Sequence, residues 1–221
     1  MNATSPSAGN VIATATYGTP SRAPYEIRPL ATAADLAAAT ALVEDRARQL
    51  AQRGITVPYH HVAAYRDPWA EAVGLFEVAA DGEEQLAGCL LLHRQPQPRS
   101  RITDAGQQGL RISLAFTAPG RDDTIGTLLT LWVGDFAARI GAAAVLGEAP
   151  ARHTGTNRAL GRLFDHLTAL GWLITGTGNT ADGERVAWLK LPAENRSGLP
   201  AMIHCTIPLR AARPVLSGEP Q

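Results

Sequence analysis

Apolar positions between residues 110 and 147 predict a strand, a helix and a second strand. Leu110, Ile112 and Leu114 alternate with polar positions, which predicts a strand with one buried face. From residue 125 onward the apolar positions recur at helical spacing and form one broad face: Ile125, Leu128, Leu129, Trp132, Val133, Phe136, Ala137 and Ile140. Residues 142–146 then predict a short buried strand. We interpret the three elements as a βαβ unit whose helix covers one face of a sheet.

The polar turn at residues 121–126 joins the first of these strands to the helix. Asp123 or Thr124 is expected to cap the helix by accepting a backbone N–H bond, and Gly141 suits its left-handed exit. Unpaired N–H groups converge at this end of the helix, where the dipole is positive, and such a site suits a phosphate group. The sequence therefore predicts an anion site in the turn.

The charges of the chain do not point to a polyanionic partner. The 221 residues include 20 basic and 20 acidic side chains, so the formal net charge is zero. Neither nucleic acid nor a membrane is expected as a partner, since no apolar run approaches the roughly 20 residues of a membrane span. No secretory signal pattern is present, and Cys89 and Cys205 fit no disulfide or metal framework. We expect a reduced, cytoplasmic protein without a metal site.

The rest of the chain divides into three parts. Residues 1–24 are expected to be a flexible arm, 25–191 the folded domain, and 192–221 an extension that is partly disordered. Alternating apolar positions around Cys205 predict that this extension packs either on a sheet edge or on a partner. Within the domain, the patterns predict a strand at 25–30, a helix capped by Thr32 and Asp35 and ended by Gly54, a hairpin of 73–79 and 85–93, a helix over 160–170 ended by Gly171, and strands at 173–175 and 185–191.

The order of these elements and two short motifs resemble the GNAT superfamily of acyl-CoA-dependent N-acyltransferases. Arg121 and Gly126 match the first and last positions of the family motif Gln/Arg-x-x-Gly-x-Gly/Ala, while Thr124 stands at the first glycine. The helix after the second strand is similar to a further family pattern at Asn157, Ala159, Leu163-Phe164 and Gly171-Trp172. The resemblance covers residues 25–191.

This resemblance implies a mixed α/β fold with a mostly antiparallel central sheet and flanking helices. The fourth and fifth strands would splay apart to receive an acyl-CoA, in the first instance acetyl-CoA. The implied contacts to coenzyme A are backbone amides of the fourth strand, the turn that holds the pyrophosphate, and two positions near the following helix: Ala115, Phe116, Thr117, Arg121, Asp122, Asp123, Thr124, Ile125, Gly126, Thr127, Asn157 and Phe164.

Two acidic residues in the turn depart from the family pattern. Asp122 and Asp123 either cap the helix or oppose the pyrophosphate, at a cost on the order of 1 kcal/mol per charge pair at 4 Å in water. The turn then either binds coenzyme A weakly, through its amides and Arg121, or has lost the ligand.

The resemblance also implies direct attack of a primary amine, on a small molecule or a peptide, at the thioester carbonyl. Glu148, at the end of the splayed strand, and His153 just beyond it are the first candidates for the base, followed by Glu77 and His93. Many family members carry a tyrosine at the position of Phe164 to protonate the leaving thiolate. Phenylalanine has no proton to give.

Two polar stretches allow more than one interpretation. Residues 55–72 include His60, His61, Tyr65 and Trp69, which either line an acceptor pocket or divide into core aromatics and solvated histidines. Adjacent histidines do not share a helix face, which argues against a metal site. The three arginines of residues 94–108 either attract an acidic acceptor or belong to a solvated surface loop.

Three functions are compatible with these observations. The first is an active N-acyltransferase that uses acetyl-CoA or another acyl-CoA. The second is a degenerate domain that binds an acyl-CoA, or nothing, and acts as a regulatory or interaction module; Asp122, Asp123, Thr124 and Phe164 favour it. The third is a partner of another protein, or a homodimer, that uses the C-terminal extension as its contact. The sequence does not identify the acceptor.

Overall fold

The computed structural model describes residues 23–54, 64–65, 70–94, 109–151, 158–180 and 183–209. The strands are β1 (Tyr25–Pro29), β2 (Glu71–Val78), β3 (Glu84–His93), β4 (Gly109–Thr117), β5 (Ala144–Pro150), β6 (Leu173–Asn179), β7 (Arg185–Pro192) and β8 (Ile203–Cys205). The helices are α1 (Ala33–Gln52), α2 (Asp122–Arg139) and α3 (Arg158–Ala169), and Leu199–Ala201 form one turn of 3-10 helix.

The described strands form one open sheet in the order β6-β7-β5-β4-β3-β2-β1-β8. Strands β4 and β5 are parallel, as are β1 and β8, and the other neighbouring pairs are antiparallel. The predicted fold class, a mixed and mostly antiparallel sheet with flanking helices, is confirmed.

Helices cover both faces of the sheet. Helix α1 packs on one face, where Ala39 and Val43 meet Cys89 and Leu91 of β3. Helix α2 packs on the other face, and its predicted apolar positions from Ile125 to Ala137 are buried. Helix α3 packs against the same core as α2. No helix in the described ranges is both long enough and apolar enough to cross a membrane.

The start of α1 is closed by the capping box that the sequence predicts. The Thr32 hydroxyl accepts the Asp35 N–H at 3.0 Å, and the Asp35 carboxylate accepts the Thr32 N–H at 3.1 Å. Arg28 lies 3.0 Å from the same carboxylate. Burial alone would raise the pKa of Asp35, but the bonds from Thr32 and the charge of Arg28 lower it below 3.8 overall.

Two predicted details of the central unit are wrong. The strand predicted at 142–146 is Ala144–Pro150, because pairing with β7 continues along that whole length. Leu114 does not share a face with Leu110 and Ile112. A bulge in β4 turns it to the α1 side of the sheet, where it packs near Cys89.

The extension after β7 returns to the far edge of the sheet. Strand β8 pairs with β1 in parallel, and Ile203 and Ile207 are buried while Cys205 is exposed. The N–H of Thr206 donates to the Ile27 carbonyl at 3.0 Å. Of the two alternatives for this segment, packing on a sheet edge is the one observed.

Candidate functional site

Strands β4 and β5 are joined along only part of their length. The parallel ladder consists of Gly109, Leu110 and Arg111 opposite Ala144, Val145 and Leu146. Beyond it, β4 continues to Thr117 along β3, and β5 continues to Pro150 along β7. The two strands therefore separate in the middle of the sheet. Beyond the ladder, the backbone N–H and C=O groups of β4 and β5 no longer bond to each other.

A bulge in β4 lies at this opening. The register with β3 shifts between Cys89 and Leu91, so that Leu114 and Ala115 together oppose Leu90. Leu114 has a φ of 52°, a left-handed conformation that no other non-glycine residue of the described chain adopts. A leucine in this conformation costs on the order of 1–2 kcal/mol, so surrounding contacts must hold it there.

The strand amides predicted to bind coenzyme A do not all face the opening. The Ala118 N–H donates to the Ala87 carbonyl on β3 at 2.8 Å. Because bonded and non-bonded pairs alternate in an antiparallel ladder, Phe116 opposite Cys89 also turns its N–H toward β3, and Thr117 turns the other way. The Phe116 amide is therefore directed toward β3 rather than toward the opening. Ala115 is exposed at the bulge.

The start of α2 lies beside the opening and is not closed by a cap. The N-cap residue is Arg121, which makes no side-chain capping bond, so the predicted cap at Asp123 or Thr124 is wrong. The turn before it uses Gly120 at a φ of 78°, which glycine adopts without strain. The first intrahelical bond runs from the Ile125 N–H to the Arg121 carbonyl at 3.1 Å. The Ile125 amide is thus used by the helix, whereas those of Asp122, Asp123 and Thr124 precede the first bond.

The Arg121 side chain is turned toward β2. Its guanidinium forms a two-pronged ion pair with Glu77, in which Nη2 donates to Oε1 at 2.8 Å and Nη1 donates to Oε2. The bond from Arg121 lowers the pKa of Glu77 below 4.5, and the bond from Glu77 raises the pKa of Arg121 above its usual value. Arg121 is therefore already engaged, and the candidate base Glu77 is its partner.

The other side chains of the turn leave it open. Asp123 is 96% exposed and lies 3.7 Å from the His166 ring of α3. Thr124 is exposed, and the Thr127 hydroxyl donates to the Asp123 carbonyl at 2.6 Å. A Cβ at Gly126 would come no nearer to another group than 3.5 Å, to the same histidine. Among the described side chains of the turn, Asp123 thus presents an exposed carboxylate beside the backbone amides.

Polar side chains line the α1 face of the sheet next to the opening. Glu148 of β5 accepts a bond from Arg111 of β4 at 3.0 Å. His93 of β3 is buried, and its Nε2 lies 2.7 Å from the Ser113 hydroxyl. The Nε of Arg111 is buried and has no hydrogen-bond partner among the residues that the structure describes. Glu148 and His93 were candidates from the sequence. Ser113 and Arg111 were not, because the sequence showed them only as the outward positions of a predicted strand.

A buried tyrosine lies on the same face, behind the bulge. The Tyr65 hydroxyl donates to the Leu114 carbonyl at 2.6 Å and lies 3.1 Å from the Cys89 sulfur. Burial raises the pKa of Tyr65 well above 10, and burial raises the pKa of Cys89 to about 12. Both groups are therefore neutral at physiological pH. Of the alternatives for the aromatic residues of this stretch, packing in the core is the one observed for Tyr65.

The remaining predicted site residues either lie in the core or fall outside the described residues. Phe164 is half-buried and packs against the core beside α2. His153 and Asn157 lie outside the described residues, as do His60, His61 and Trp69, and the side chain of Asp122 is not described. Among the described residues, no group of three or more His, Cys, Asp or Glu side chains is placed to hold a metal ion.

The order of the elements and the parting of β4 from β5 define the class of fold. Both features are the ones that the resemblance to the GNAT acyltransferases implies, so the predicted fold is confirmed.

The chain is similar in structure to several acetyltransferases of known structure. The aminoglycoside 6'-acetyltransferase type Ii is 14% identical, with a TM-score of 0.49 over 77% of this chain and 98% of that chain. The ribosomal-protein-S18-alanine N-acetyltransferase from Escherichia coli is 18% identical, with a TM-score of 0.47 over 78% and 96%. The ribosomal-protein-S5-alanine acetyltransferase from Vibrio fischeri is 10% identical, with a TM-score of 0.48 over 77% and 94%. No protein-family model and no curated protein matches the chain.

Proposed function

We propose that this chain is an N-acyltransferase that transfers an acyl group, in the first instance from acetyl-CoA, to a primary amine on a small molecule or a peptide. The observation that carries the proposal is the opening between β4 and β5 directly beside the uncapped start of α2. One element offers the backbone of β4 beyond its ladder with β5 to an extended ligand arm, and the other offers amides and a positive dipole to phosphates. An acyl-CoA has an extended amide arm and a pyrophosphate.

The described residues fit this ligand through their backbone more than through their charges. The amides of Asp122, Asp123 and Thr124 would bind the pyrophosphate, and the Ala115 and Thr117 positions would face the pantetheine arm. Arg121 would reach a phosphate only by leaving Glu77. The exposed Asp123 carboxylate opposes the ligand charge. We therefore propose that the acyl-CoA binds with modest affinity and that its binding depends strongly on salt.

The transfer consists of attack by the amine nitrogen on the thioester carbonyl, loss of one proton from that nitrogen and departure of the coenzyme A thiolate. Two groups on the α1 face are candidates for the proton acceptor. The His93–Ser113 pair has a basic nitrogen 2.7 Å from a hydroxyl. Glu148, the first candidate from sequence, would have to give up its bond with Arg111 to take a proton. Phe164 supplies none to the leaving thiolate, so water is proposed for that step.

These two candidates are separated by their variants. His93→Asn and Ser113→Ala should each lower kcat at least tenfold if the pair accepts the proton, while Glu148→Gln changes it little. The reverse ranking would assign the proton to Glu148. The measurement is the rate of free thiol release from acetyl-CoA with a saturating amine.

The proposed function is tested first by calorimetric titration of acetyl-CoA into the full chain at low salt. We expect saturable binding, followed by amine-dependent release of the coenzyme A thiol when a panel of antibiotics, polyamines, amino acids and peptides is offered. No binding at millimolar acetyl-CoA, and none with longer acyl-CoAs, would overturn the proposal.

A matched pair of variants ties any binding to the turn. Thr124→Glu adds a charge at the start of α2, whereas Thr177→Glu adds the same charge on β6, an exposed strand at the opposite edge of the sheet from β8. An added charge about 4 Å from a phosphate in water costs about 1 kcal/mol, which is about fivefold in affinity. Thr124→Glu should lose at least that much and Thr177→Glu should not. Equal losses would place the ligand elsewhere.

A second candidate function is an acyl-CoA-binding or protein-interaction module without transferase activity. The engagement of Arg121 by Glu77, the exposed Asp123 and the absence of a phenol at Phe164 favour it. Binding of acetyl-CoA without thiol release for any amine would support this candidate over the enzyme.

A further inference from the structure

The bond between Tyr65 and the β4 bulge joins two unusual features. Tyr65 is 6% exposed, and its hydroxyl donates a hydrogen bond to the backbone oxygen of Leu114 at 2.6 Å. Leu114 is the residue held in the left-handed conformation, with a φ of 52°. A strained backbone residue persists only when its surroundings hold it, and this bond is the contact that acts directly on the strained peptide.

Holding the Leu114 oxygen fixes a second group. The Leu114 carbonyl and the Ala115 N–H belong to one planar trans peptide, in which the C=O and N–H bonds point in opposite directions. With the oxygen held toward Tyr65, in the core on the α1 side, the Ala115 N–H is directed away from that core. Ala115 is exposed, and it lies where β4 has parted from β5.

We propose that Tyr65 is a positioning residue that holds the strained Leu114–Ala115 peptide so that the Ala115 N–H points at the carbonyl oxygen of the bound acyl group. This inference rests on the proposed function. An N–H held in advance at the position where negative charge develops stabilises the transition state without reorganisation. Relaxation of the peptide would leave ligand binding largely intact and misdirect this donor.

Tyr65 itself does not supply a proton. Its hydroxyl already donates to Leu114, and the Cys89 sulfur lies 3.1 Å from the same oxygen, so neither hydrogen-bonding side of the hydroxyl faces the opening. A direct catalytic role and a positioning role therefore make different predictions for the two partners of the hydroxyl.

The experiment compares four variants of the full chain. Tyr65→Phe keeps the ring and removes the hydroxyl, and we expect kcat to fall about 10- to 100-fold with little change in KM for acetyl-CoA. Cys89→Ala removes the other neighbour of the hydroxyl and should leave kcat within about twofold. Leu114→Gly keeps the bond and relieves the strain, and it is the reference for the double variant.

The double variant Tyr65→Phe with Leu114→Gly separates positioning from packing. Glycine accepts a positive φ at no cost, so the peptide no longer leaves the bulge conformation when the hydroxyl is absent, and part of the lost kcat should return. Full activity in Tyr65→Phe, a loss in Tyr65→Phe that Leu114→Gly does not recover, or an equal loss in Cys89→Ala would each overturn the inference.

A readout independent of turnover distinguishes failure of this inference from failure of the proposed function. Hydrogen exchange and the chemical shift of the Ala115 amide, measured by NMR without ligand, should change in Tyr65→Phe and stay near wild type in Cys89→Ala. If the wild-type chain binds no acyl-CoA, the proposed function fails while this measurement still tests the bond. If the chain binds and turns over acetyl-CoA but the Ala115 amide is unaffected in Tyr65→Phe, the inference alone fails.

Discussion

Helix α1 follows strand β1, and helix α2 follows strand β4 of the same sheet. The first turns of these two helices differ. At α1, Thr32 and Asp35 satisfy each other's backbone amides, and Arg28 neutralises the carboxylate. At α2, the N-cap is Arg121, whose side chain points to Glu77 and caps nothing. The first arrangement satisfies the Asp35 amide with a side chain, whereas no Arg121 side-chain bond satisfies an amide at the start of α2.

The difference separates structural helix ends from candidate binding sites. A capping residue typically contributes about 1 kcal/mol, so an uncapped start sacrifices stability unless something else takes the amides. The α2 start lies beside the parted strands β4 and β5, whereas the α1 start lies at the end of β1, which pairs with β2 along its whole length. A cap therefore stabilises the start of α1, and no such cap stabilises the start of α2. This difference is the one expected if the start of α2 binds a ligand.

The largest expected effect on stability comes from removing the cap at the start of α1. Asp35→Ala removes the bond to the Thr32 amide and the Arg28 ion pair, so we expect a loss of about 2 kcal/mol in urea denaturation at pH 7. Because the pKa of Asp35 is lowered in the folded state, its stabilisation is complete above 3.8 and is lost as the pH falls through the lower folded value. The difference between wild type and variant should therefore vanish in acid.

Thr127→Ala is the control for this first prediction. The Thr127 hydroxyl bonds a carbonyl within α2 rather than a free amide, so its removal should change the free energy of unfolding by less than about 0.5 kcal/mol. Equal losses in the two variants would mean that the two helix ends do not differ as described.

The next effect concerns the charge at the open end. Asp123→Asn removes an exposed carboxylate beside the proposed phosphate site and should tighten acetyl-CoA binding about fivefold at low salt, with the gain shrinking as salt is added. Calorimetry at two salt concentrations measures this. Asp165→Asn, on the exposed side of α3, is the matched control and should have no effect. A weaker complex in Asp123→Asn would contradict the expected repulsion between this carboxylate and the ligand.

A smaller effect is expected from releasing Arg121. Both partners of the Glu77–Arg121 pair are about one-third exposed (35% each), so Glu77→Gln should lower stability by no more than about 1 kcal/mol. The pair stabilises the fold above pH 4.5 and loses its contribution as the pH falls through the lowered pKa of Glu77.

The same variant tests whether Arg121 can serve the ligand. If the freed guanidinium reaches the phosphates, Glu77→Gln should tighten acetyl-CoA binding, and adding Arg121→Ala should remove the gain. Arg121→Ala alone should change the affinity little, because the side chain is already engaged. A large loss in that single variant would show that Arg121 leaves Glu77 when the ligand binds.

The smallest effect is at Gly126. Alanine there meets His166 at an ordinary contact distance of 3.5 Å and removes the flexibility of glycine within a helix, so Gly126→Ala should gain about 0.5 kcal/mol. Acetyl-CoA affinity should not change, since the GNAT motif accepts alanine at this position. Thermal unfolding and calorimetry check the two halves of this prediction. A lost affinity would mean that the ligand approaches the α2 backbone at that turn more closely than its N-terminal amides require.

Features carried by neighbouring residues were predictable from the sequence. The capping box of Thr32 and Asp35, the amphipathic face of α2 and the hairpin of β2 and β3 are confirmed because each depends on spacing within one segment. The order of these segments was sufficient to predict the GNAT fold.

Features that depend on distant residues were not predictable in the same way. Arg121 and Glu77 are 44 positions apart, and Arg111 and Glu148 are 37 apart, so no local pattern indicates that either pair forms. Leu114 fits an alternation that continues through the bulge, and nothing in that alternation shows where the register shifts. Some of the candidate residues could therefore be predicted from the sequence. The pairings that decide their chemistry could be identified only from the folded structure.

The edge formed by β8 has a consequence for how the protein is made. Strand β1 is flanked on one side by β2 and on the other by residues near 205, so its hydrogen bonding is complete only when most of the chain has left the ribosome. The contact between Ile27 and Thr206 spans 179 positions, which adds a large loop-closure entropy to folding. During synthesis, one edge of β1 therefore remains unpaired until β8 has been made. Docking of β8 on β1 is expected to be a late step of folding.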